Sequence, residues 1–376
     1  MVSKYDITDV SMYSEGTHMK NVSLKSGRGK KIDAISKSIE RTTDLKTLSD
    51  FGTYAINECY IDLTLDKLRE IDGDKDLQER YILNRAKFLE KGYTNIFIVK
   101  LRTDSRLDEL DYEYLTSLLG WTMNDIYVMP TLEFENVSGA ERYEIYDEFV
   151  TKMLDMKGRM IKISDLNVGV MIPSFYSRRR IANLFGLYED VEHNFVAVDF
   201  NNQRIDSKPS GVTSTVRKYF DDKKEEKTFF YGVNVKPWPK ATGLAGDPTD
   251  ALDVHSIHLS FNATGPTHSN PRRIILSPGW DSLGRAFDPD DYSYHKMSDE
   301  RIKSVYIDWM ESNYRIELSP IFEENATKPS YAYVKRMNFQ RANEELAHLS
   351  GAIRNSDSDA LRNVISRMPE KMRRAI

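Results

Sequence analysis

Short apolar segments alternate with helix-forming segments along most of this 376-residue chain, and this alternation constrains the fold more than any other feature. Because the apolar segments are apolar throughout, and not only at every second residue, they are typical of parallel strands covered on both faces. Helices are predicted between most of them, including one over residues 213–220 and one that begins at the capping box Ser138-Gly-Ala-Glu141. This alternation indicates repeated strand–helix–strand units. The predicted strands lie at residues 54–65, 95–101, 125–134, 168–175, 194–201, 228–236 and 253–261.

The best fit to this pattern is a (β/α)8 barrel of the TIM type with a helical C-terminal extension. An open, doubly wound sheet is the alternative, although no Gly-x-Gly-x-x-Gly sequence follows a predicted strand. We divide the chain into a flexible N-terminal arm over residues 1–45, a barrel domain of catalytic type over 46–298 and the helical extension over 299–376. The arm is assigned because residues 1–45 hold few large apolar side chains.

Net charge limits the kinds of partner that the chain binds. The formal net charge is −5, so no overall positive field attracts nucleic acid, and any such contact must come from a local basic patch. The C-terminal residues supply one candidate patch, although basic residues also favour the C-terminus of a helix for electrostatic reasons. The candidate nucleic-acid-binding residues are Arg362, Arg367, Lys371, Arg373 and Arg374.

The number of cysteines limits the disulfides and metal sites that the chain can form, and its apolar runs indicate the compartment. Cys59 is the only cysteine, which excludes a disulfide within one chain and any zinc site that needs two thiolates. His255 and His258 point to opposite faces of a predicted strand, so they do not chelate one metal together. We predict no metal or cofactor, and a metal site of His and Asp residues from different strands is the alternative. No signal peptide and no membrane-spanning run is recognised, and the cytoplasm is the predicted compartment.

Polar side chains at the ends of the predicted strands are the candidate site residues, because a barrel carries its site at the carboxyl ends of its strands. Asp199 is the clearest example, since it follows the apolar run Phe195–Val198. Its alternative role is to cap the next loop by hydrogen bonds. The candidate substrate-binding residues are Glu133, Asp199, Asn201, Asn234 and Lys236.

Four segments resemble the tRNA-guanine transglycosylase family in order and spacing. Tyr231-Gly-Val-Asn-Val-Lys-Pro237 is similar to the family's Gly-Val-Gly-x-Pro strand end, and Asp250-Ala-Leu-Asp253 stands where the family has Asp-x-Phe-Asp. Upstream, Asn124–Met129 is similar to the family's Gly-Ser-Asp-Ile strand, and Asn338–Ile353 to its C-terminal helix. The resemblance covers roughly residues 120–340.

This resemblance implies a (β/α)8 barrel that exchanges guanine for a 7-deazaguanine base in tRNA or, in one branch, in DNA. It implies that Asp253 attacks C1′ of the nucleoside and forms a covalent intermediate. We predict that Asp199 lies within reach of the same substrate, and Asp250, three residues earlier, is the fallback nucleophile. The implied partners are a nucleic acid and a small 7-deazaguanine base. The family's zinc motif and its Asp-Ser-Gly-Gly-Phe-Gln motif are absent from this sequence.

Three functions remain open from the sequence. The first is base exchange on nucleic acid, by a pentosyltransferase of the guanine-transglycosylase type. The second is a non-catalytic barrel that binds nucleic acid or a protein partner. The third is an unrelated barrel hydrolase that uses a pair of carboxylates. Convergence of Asp199 and Asp253 in one pocket would favour the first.

Overall fold

The computed structural model describes fifteen segments of the chain, which together form strands β1–β15 and helices α1–α8. The described segments are residues 6–13, 19–25, 30–33, 35–39, 56–86, 92–120, 125–159, 168–188, 195–205, 228–236, 248–256, 260–268, 285–297, 299–314 and 329–368. The strands are β1 (Asp6–Tyr13), β2 (Met19–Lys25), β3 (Lys31–Ile32), β4 (Ser36–Lys37), β5 (Ile56–Thr64), β6 (Thr94–Thr103), β7 (Ile126–Val128), β8 (Thr131–Phe134), β9 (Val168–Ile172), β10 (Phe195–Arg204), β11 (Phe229–Lys236), β12 (Thr249–Asp250), β13 (Ala263–Thr264), β14 (Arg285–Asp288) and β15 (Ser293–Lys296). The helices are α1 (Leu65–Gly73), α2 (Lys75–Ala86), α3 (Glu109–Gly120), α4 (Gly139–Arg159), α5 (Arg178–Leu187), α6 (Glu300–Tyr314), α7 (Pro329–Arg354) and α8 (Ser358–Arg367).

A central sheet of nine strands organises this α/β fold. Its order is β4-β13-β11-β10-β9-β7-β6-β5, with β8 also paired to β6, and every one of these pairings is parallel. The chain just after β4 also contacts β5, because the Ile39 amide donates to the Ile56 carbonyl at 2.9 Å and the Glu58 amide to the Ile39 carbonyl at 2.8 Å. The two end strands of the order are therefore joined by a short parallel bridge.

The strands of this sheet are buried on both faces, as their apolar sequences predict. β6 has one residue of ten that is not fully buried, and the first six residues of β10 are all buried. Aromatic rings fill the interior; for example, the rings of Phe195 and Phe229 stack with centroids 5.4 Å apart. Gly169 is required beside them, because a Cβ there would lie 2.6 Å from the Phe195 ring.

Local capping signals explain where several helices begin. The Lys67 amide donates to the Thr64 hydroxyl at 3.2 Å, so α1 starts directly from the last residue of β5. The Glu141 amide donates to the Ser138 hydroxyl at 3.3 Å, which confirms the capping signal that the sequence gives for α4. Helix α1 was not predicted from the sequence, because no loop separates it from the preceding strand.

The N-terminal residues are more ordered than the sequence predicts. In place of a flexible arm, β1 and β2 form an antiparallel hairpin, β3 extends it, and β4 enters the central sheet. Residues 19–24 are buried, including Lys20, whose ammonium donates to the Thr228 carbonyl at 2.8 Å and lies over the Phe230 ring. Few large apolar residues are needed here because the hairpin covers an existing core and does not have to form one.

The segment after β11 also differs from its prediction. No strand begins at Asp253; residues 251–256 form turns and a short 3-10 segment, and the next strand of the sheet is β13. The predicted strand over 125–134 is split at Pro130 into β7 and β8, because proline cannot donate to a neighbouring strand. The predicted helix near 213–220 lies outside the described residues.

The helical C-terminal extension forms as predicted. The buried stripe of α7 includes Ala342, Leu346, Leu349 and Ile353, and it packs against the β14–β15 hairpin and the turn after β12. The helix also contacts β1, β2 and β4. Asn343 of α7 holds β4 by two hydrogen bonds, accepting from the Lys37 amide at 2.7 Å and donating to the Lys37 carbonyl at 3.1 Å. The extension therefore supports one end strand of the sheet.

Candidate active site in the sheet interior

A cavity of about 110 Å³ lies toward the carboxyl ends of four neighbouring strands, where a site is expected in a parallel sheet. Pockets for whole drug-sized ligands are roughly 300–1,000 Å³, so this one accommodates a single ring or a similar part of a ligand. The side chains that surround it come from β6, β8, β10, α4 and the segment after β9. They are Lys100, Leu132, Glu133, Phe134, Arg142, Ser174, Phe175, Asp199 and Asn201.

Strand register brings a lysine and a carboxylate together in the cavity. Lys100 and Arg102 of β6 lie opposite Thr131 and Glu133 of β8, so alternation puts Lys100 and Glu133 on one face. The Lys100 ammonium contacts the Glu133 carboxylate at 2.7 Å, and it also donates to the Asn201 side-chain oxygen at 3.4 Å. Lys100 is buried, whereas the Glu133 side chain is 33% exposed, so solvent reaches the ion pair from the carboxylate side.

Asp199 lies in the same cavity in a different electrostatic environment. Burial raises the pKa of its carboxyl from 3.8 to about 6, although the Asn201 amide, at 2.8 Å, and the charge of Lys100 oppose that rise. The charges of Glu133 and Glu58 add to the rise. Among the described residues, Asp199 forms no ion pair, since Lys100 contacts Glu133 instead. The cavity therefore holds two carboxylates in different electrostatic environments.

The backbone around Asp199 is shaped to turn its carboxylate into the cavity. Asn201 and Asn202 have φ values of 45° and 57°, in the left-handed region that asparagine tolerates better than most residues. The register between β10 and β11 also shifts between Asp199 and Gln203. Irregularities of this kind are frequent beside active sites, where they redirect a side chain out of the regular ladder.

Aromatic side chains form the opposite wall of the cavity. The rings of Phe134 and Phe175 meet edge to face with centroids 5.6 Å apart. Arg142 joins this wall, and its Nε donates to the Val137 carbonyl at 2.9 Å. An apolar wall facing two carboxylates and a lysine suits a ligand that has a planar ring and polar edges.

Tyr60 of β5 completes the acidic interior. Burial is the largest cause of its raised pKa, followed by the charges of Asp199, Asp62, Glu58 and Glu133. The phenol therefore stays protonated at neutral pH and remains a hydrogen-bond donor. Its surroundings show that carboxylates from β5, β8 and β10 share one interior.

Three of the predicted substrate-binding residues, Glu133, Asp199 and Asn201, meet in this cavity. The other two are on β11 and do not line it. The Asn234 side-chain oxygen accepts the His268 amide at 2.8 Å, and Lys236 is half-buried at the end of the strand, opposite Arg204 of β10.

Asp253, the nucleophile implied by the resemblance, lies elsewhere. Its carboxylate contacts the Lys37 ammonium and accepts the Tyr294 hydroxyl at 3.0 and 3.1 Å. The hydroxyl of the next residue, Ser38, contacts the Tyr231 hydroxyl in the interior at 2.6 Å. Because neighbouring residues of a strand point to opposite faces, the Lys37 side chain points to the outer face of the sheet. Asp199 and Asp253 therefore do not converge in one pocket, so the structure lacks the feature that would have favoured base exchange over the other two functions. Asp250, the fallback, is in β12 opposite Ser293.

Asp253 lies elsewhere because the strand that follows β11 in the sheet begins later in the chain than predicted. The predicted strand begins at Asp253, whereas the chain enters the sheet only at Ala263, in β13. The carboxyl end of that strand is therefore at residues 265–268, and Asp253 lies in the turn before it.

The C-terminal basic residues are only partly described. Arg362 forms a 3.9 Å ion pair with Asp359 on an exposed face of α8. Arg367 donates to the Pro289 carbonyl at 3.0 Å and lies over the Tyr292 ring, so it has a structural role as well. Lys371, Arg373 and Arg374 lie outside the described residues.

Histidines near this end of the fold differ in their surroundings. Burial lowers the pKa of His255 to about 4, so its ring, packed against Tyr292, is neutral at pH 7. His258 lies outside the described residues. In the β14–β15 hairpin, Asp288, Asp291 and His295 place one potential metal ligand each within 4.8 Å of one another, although Arg301 contacts Asp288 and His295 contacts Asp291.

Several residues of the interior were not predicted from the sequence, and Lys100, Phe175 and Tyr60 show why. Lys100 was overlooked because it lies within an apolar strand, and a lysine in such a run is itself a signal that an anionic partner is buried nearby. Phe175 follows its strand as one more apolar residue. Tyr60 gives no signal, since tyrosine is common in strands.

No helix in the described part of the chain is long and apolar enough to cross a membrane. The sequence matches none of the known protein families and none of the curated proteins with which it was compared.

Proposed function

We propose that this protein transfers a glycosyl group, by displacement at the anomeric carbon of a nucleoside, and that Asp199 is the nucleophile. The observation that carries this proposal is the pair of carboxylates in one cavity, Glu133 ion-paired to Lys100 and Asp199 without such a partner among the described residues. Two carboxylates in unequal environments are the recurrent machinery for reactions at a glycosidic carbon.

The chemistry proceeds in two displacements. An Asp199 carboxylate oxygen attacks C1′, so a C1′–O bond forms as the C1′–N bond breaks, and the departing base accepts a proton on its nitrogen. The incoming base then attacks C1′ from the vacated side, loses its own ring proton and releases Asp199 as a carboxylate. A pKa of about 6 leaves Asp199 mostly ionised at neutral pH and raises its basicity above that of an ordinary aspartate.

The cavity dimensions support a base as the bound group. A volume of about 110 Å³ suits one ring system, and Phe134 and Phe175 supply an apolar wall for it. Lys100, Glu133 and Asn201 supply both donors and acceptors for its polar edge. The identity of the bases rests on the resemblance to tRNA-guanine transglycosylases alone, whose implied nucleophile Asp253 lies outside this cavity. On that basis guanine is the departing base, a 7-deazaguanine is the incoming base, and tRNA or DNA is the nucleic acid.

The proposal includes a closed (β/α)8 barrel. Its support is the eight-strand parallel order together with the Ile39–Asn57 bridge between the two end strands. Closure places β5 next to β4 and surrounds the carboxylates of β5, β8 and β10 with a single ring of strands. Asp253, on the outer side, then supports the barrel and takes no part in the displacement.

Exchange of a radiolabelled base tests the proposal. Guanosine-containing RNA and DNA oligonucleotides are incubated with the full chain and labelled guanine, and incorporation of label is measured. Wild type is expected to incorporate label and Asp199→Asn to incorporate none, while Asp291→Asn, an exposed hairpin carboxylate, serves as the matched control. Release of free guanine without incorporation would instead indicate hydrolysis at the same carboxylates, and full exchange by Asp199→Asn would overturn the assignment.

A further inference from the structure

A second polar cluster lies on the same interior face as the cavity, where β5, β11 and the segment after β13 meet. The Glu58 carboxylate contacts the His268 Nε2 through one oxygen and accepts the Tyr231 hydroxyl with the other. Glu58 and Asp62 alternate onto the same face of β5, and Asp62 lies opposite Lys100 of the cavity. The cluster therefore belongs to the same interior as Asp199.

The backbone around Glu58 is adapted to this cluster. Gly265 passes so close to the carboxylate that a Cβ there would lie 2.2 Å from Glu58 Oε2 and 3.0 Å from the Tyr231 hydroxyl. Only glycine fits at that position without displacing the carboxylate. The segment that carries His268 can therefore run directly past Glu58.

A left-handed residue fixes the position of His268. Asn234 has a φ of 54°, a conformation that costs free energy for a side chain other than glycine, and its side-chain oxygen accepts the His268 amide. One residue earlier, the Thr267 hydroxyl donates to the Val235 carbonyl at 2.7 Å. The end of β11 thus holds the end of the neighbouring strand by two side-chain hydrogen bonds.

Tyr60 links His268 to the cavity. The His268 and Tyr60 rings are stacked, with centroids 3.9 Å apart and planes within 3° of parallel. Asp199 is the charged group with the largest effect on the pKa of Tyr60, and Glu58 and Glu133 also contribute. The stacked Tyr60 and His268 rings therefore lie side by side in the interior onto which Glu58 of β5 also points.

We propose that His268 is the general acid and base of the displacement, with Glu58 as the carboxylate that orients it and Asn234 as a positioning residue. This inference rests on the proposed function. In the first displacement, His268 gives its proton to the departing base nitrogen as the C1′–N bond breaks. In the second, the now neutral imidazole takes the proton that the incoming base loses as its bond to C1′ forms, so each cycle returns His268 to its starting state.

The arrangement suits this task for two chemical reasons. A buried carboxylate in contact with an imidazole favours the imidazolium, which is the form able to donate a proton. The same contact and the stacked Tyr60 ring fix the imidazole plane, as the third member of a catalytic set does for its base. Glu58 is fully buried, and both of its carboxylate oxygens are engaged within this cluster, by His268 and by Tyr231.

A substrate whose base leaves without a proton separates acid catalysis from a structural role. 7-Methylguanine is cationic in the nucleoside and departs as a neutral base, whereas guanine must be protonated. We expect His268→Gln to lower exchange on a guanosine oligonucleotide about 10²–10³-fold and on the matching 7-methylguanosine oligonucleotide less than about 10-fold. Asn234→Gly keeps the backbone conformation and should show the same split, more weakly.

The outcomes distinguish this inference from the proposed function. An equal loss on both substrates in His268→Gln would overturn the acid–base role and leave the proposed function standing. Full activity of Asp199→Asn on both substrates would instead overturn the proposed function.

A second readout needs no activity. With ¹⁵N-labelled histidine at pH 7, the His268 ring should give imidazolium shifts in wild type and neutral shifts in Glu58→Gln. A neutral ring in wild type would overturn the inference.

Discussion

Two aspartate–lysine neighbourhoods lie on opposite faces of the central sheet, and they differ in how the carboxylate is satisfied. On the outer face, Asp253 contacts Lys37 directly and accepts the Tyr294 hydroxyl. In the interior, Lys100 contacts Glu133, and Asp199 keeps one backbone hydrogen bond from Asn201 among the described residues. The first arrangement stabilises the fold, and the second leaves a carboxylate available to a ligand.

The difference shows why residue type alone does not identify a nucleophile. Both aspartates are almost fully buried, at 2% exposure for Asp253 and 6% for Asp199, and both are near a lysine. Burial and the charge of Asp253 raise the pKa of Tyr294, so its phenol remains a donor that occupies the carboxylate. A carboxylate that is already compensated is a poor nucleophile, because attack would require breaking its ion pair.

The largest expected effect is on activity. Asp199→Asn should lower base exchange about 10⁴-fold or more, since the amide cannot form the covalent intermediate. Asp253→Asn should retain exchange within about tenfold when both are assayed below the unfolding temperature of the weaker variant. Steady-state incorporation of labelled base measures the exchange activity of both variants. A large loss in Asp253→Asn with little loss in Asp199→Asn would instead identify Asp253 as the nucleophile.

The next effect is on stability. Asp253→Asn removes one partner of a buried ion pair and leaves Lys37 uncompensated, so the free energy of unfolding should fall by about 3 kcal/mol. Chemical denaturation at pH 7 measures it. A loss below about 1 kcal/mol would mean that the Lys37–Asp253 pair does not support the junction between β4 and the C-terminal extension.

The interior aspartate should have the opposite effect on stability. Folding raises the pKa of Asp199 from 3.8 to about 6, so the native state gains stability from its proton below pH 4 and loses that gain as the pH rises through about 6. Asp199→Asn has no such loss and should be about 2–3 kcal/mol more stable than wild type at pH 7.5. At pH 4 the two should differ by less than about 1 kcal/mol. Thermal unfolding at both pH values tests the sign.

The smallest effect comes from neutralising the outer pair as a whole. Lys37→Gln combined with Asp253→Asn replaces two charges by two amides that can hydrogen-bond to each other and to Tyr294. The double variant should lie within about 1 kcal/mol of wild type, well above the single Asp253→Asn variant. Additive losses in the double-mutant cycle would show that the two side chains act independently.

Much of the fold could be predicted because its signals are local. Apolar runs fixed β6, β10 and β11 to within a few residues, and Ser138 with Glu141 marked the start of α4. The N-terminal hairpin could not be predicted in this way, because residues 19–24 are buried by tertiary contacts and not by their own composition.

The site could be predicted only where a polar residue follows an apolar strand. Asp199, Glu133 and Asn201 were found on that rule, and the structure brings them together. Asp253 was assigned through the resemblance and through a predicted strand that does not form. The strand begins at Ala263 instead, and Asp253 lies in the turn before it, where it contacts Lys37 on the outer face of the sheet. Glu58 and His268 are 210 residues apart in sequence, so only the tertiary structure pairs them.

Identification of the modified aspartate tests the central claim most directly. The full chain is incubated with guanosine-containing RNA and DNA oligonucleotides without an acceptor base, denatured, digested with nuclease and protease, and analysed by mass spectrometry for a peptide that carries a ribosyl or deoxyribosyl group. We expect the adduct on the peptide that contains Asp199, and its loss in Asp199→Asn but not in Asp253→Asn. An adduct on Asp253, or none on either aspartate, would contradict the assignment of the interior cavity as the active site.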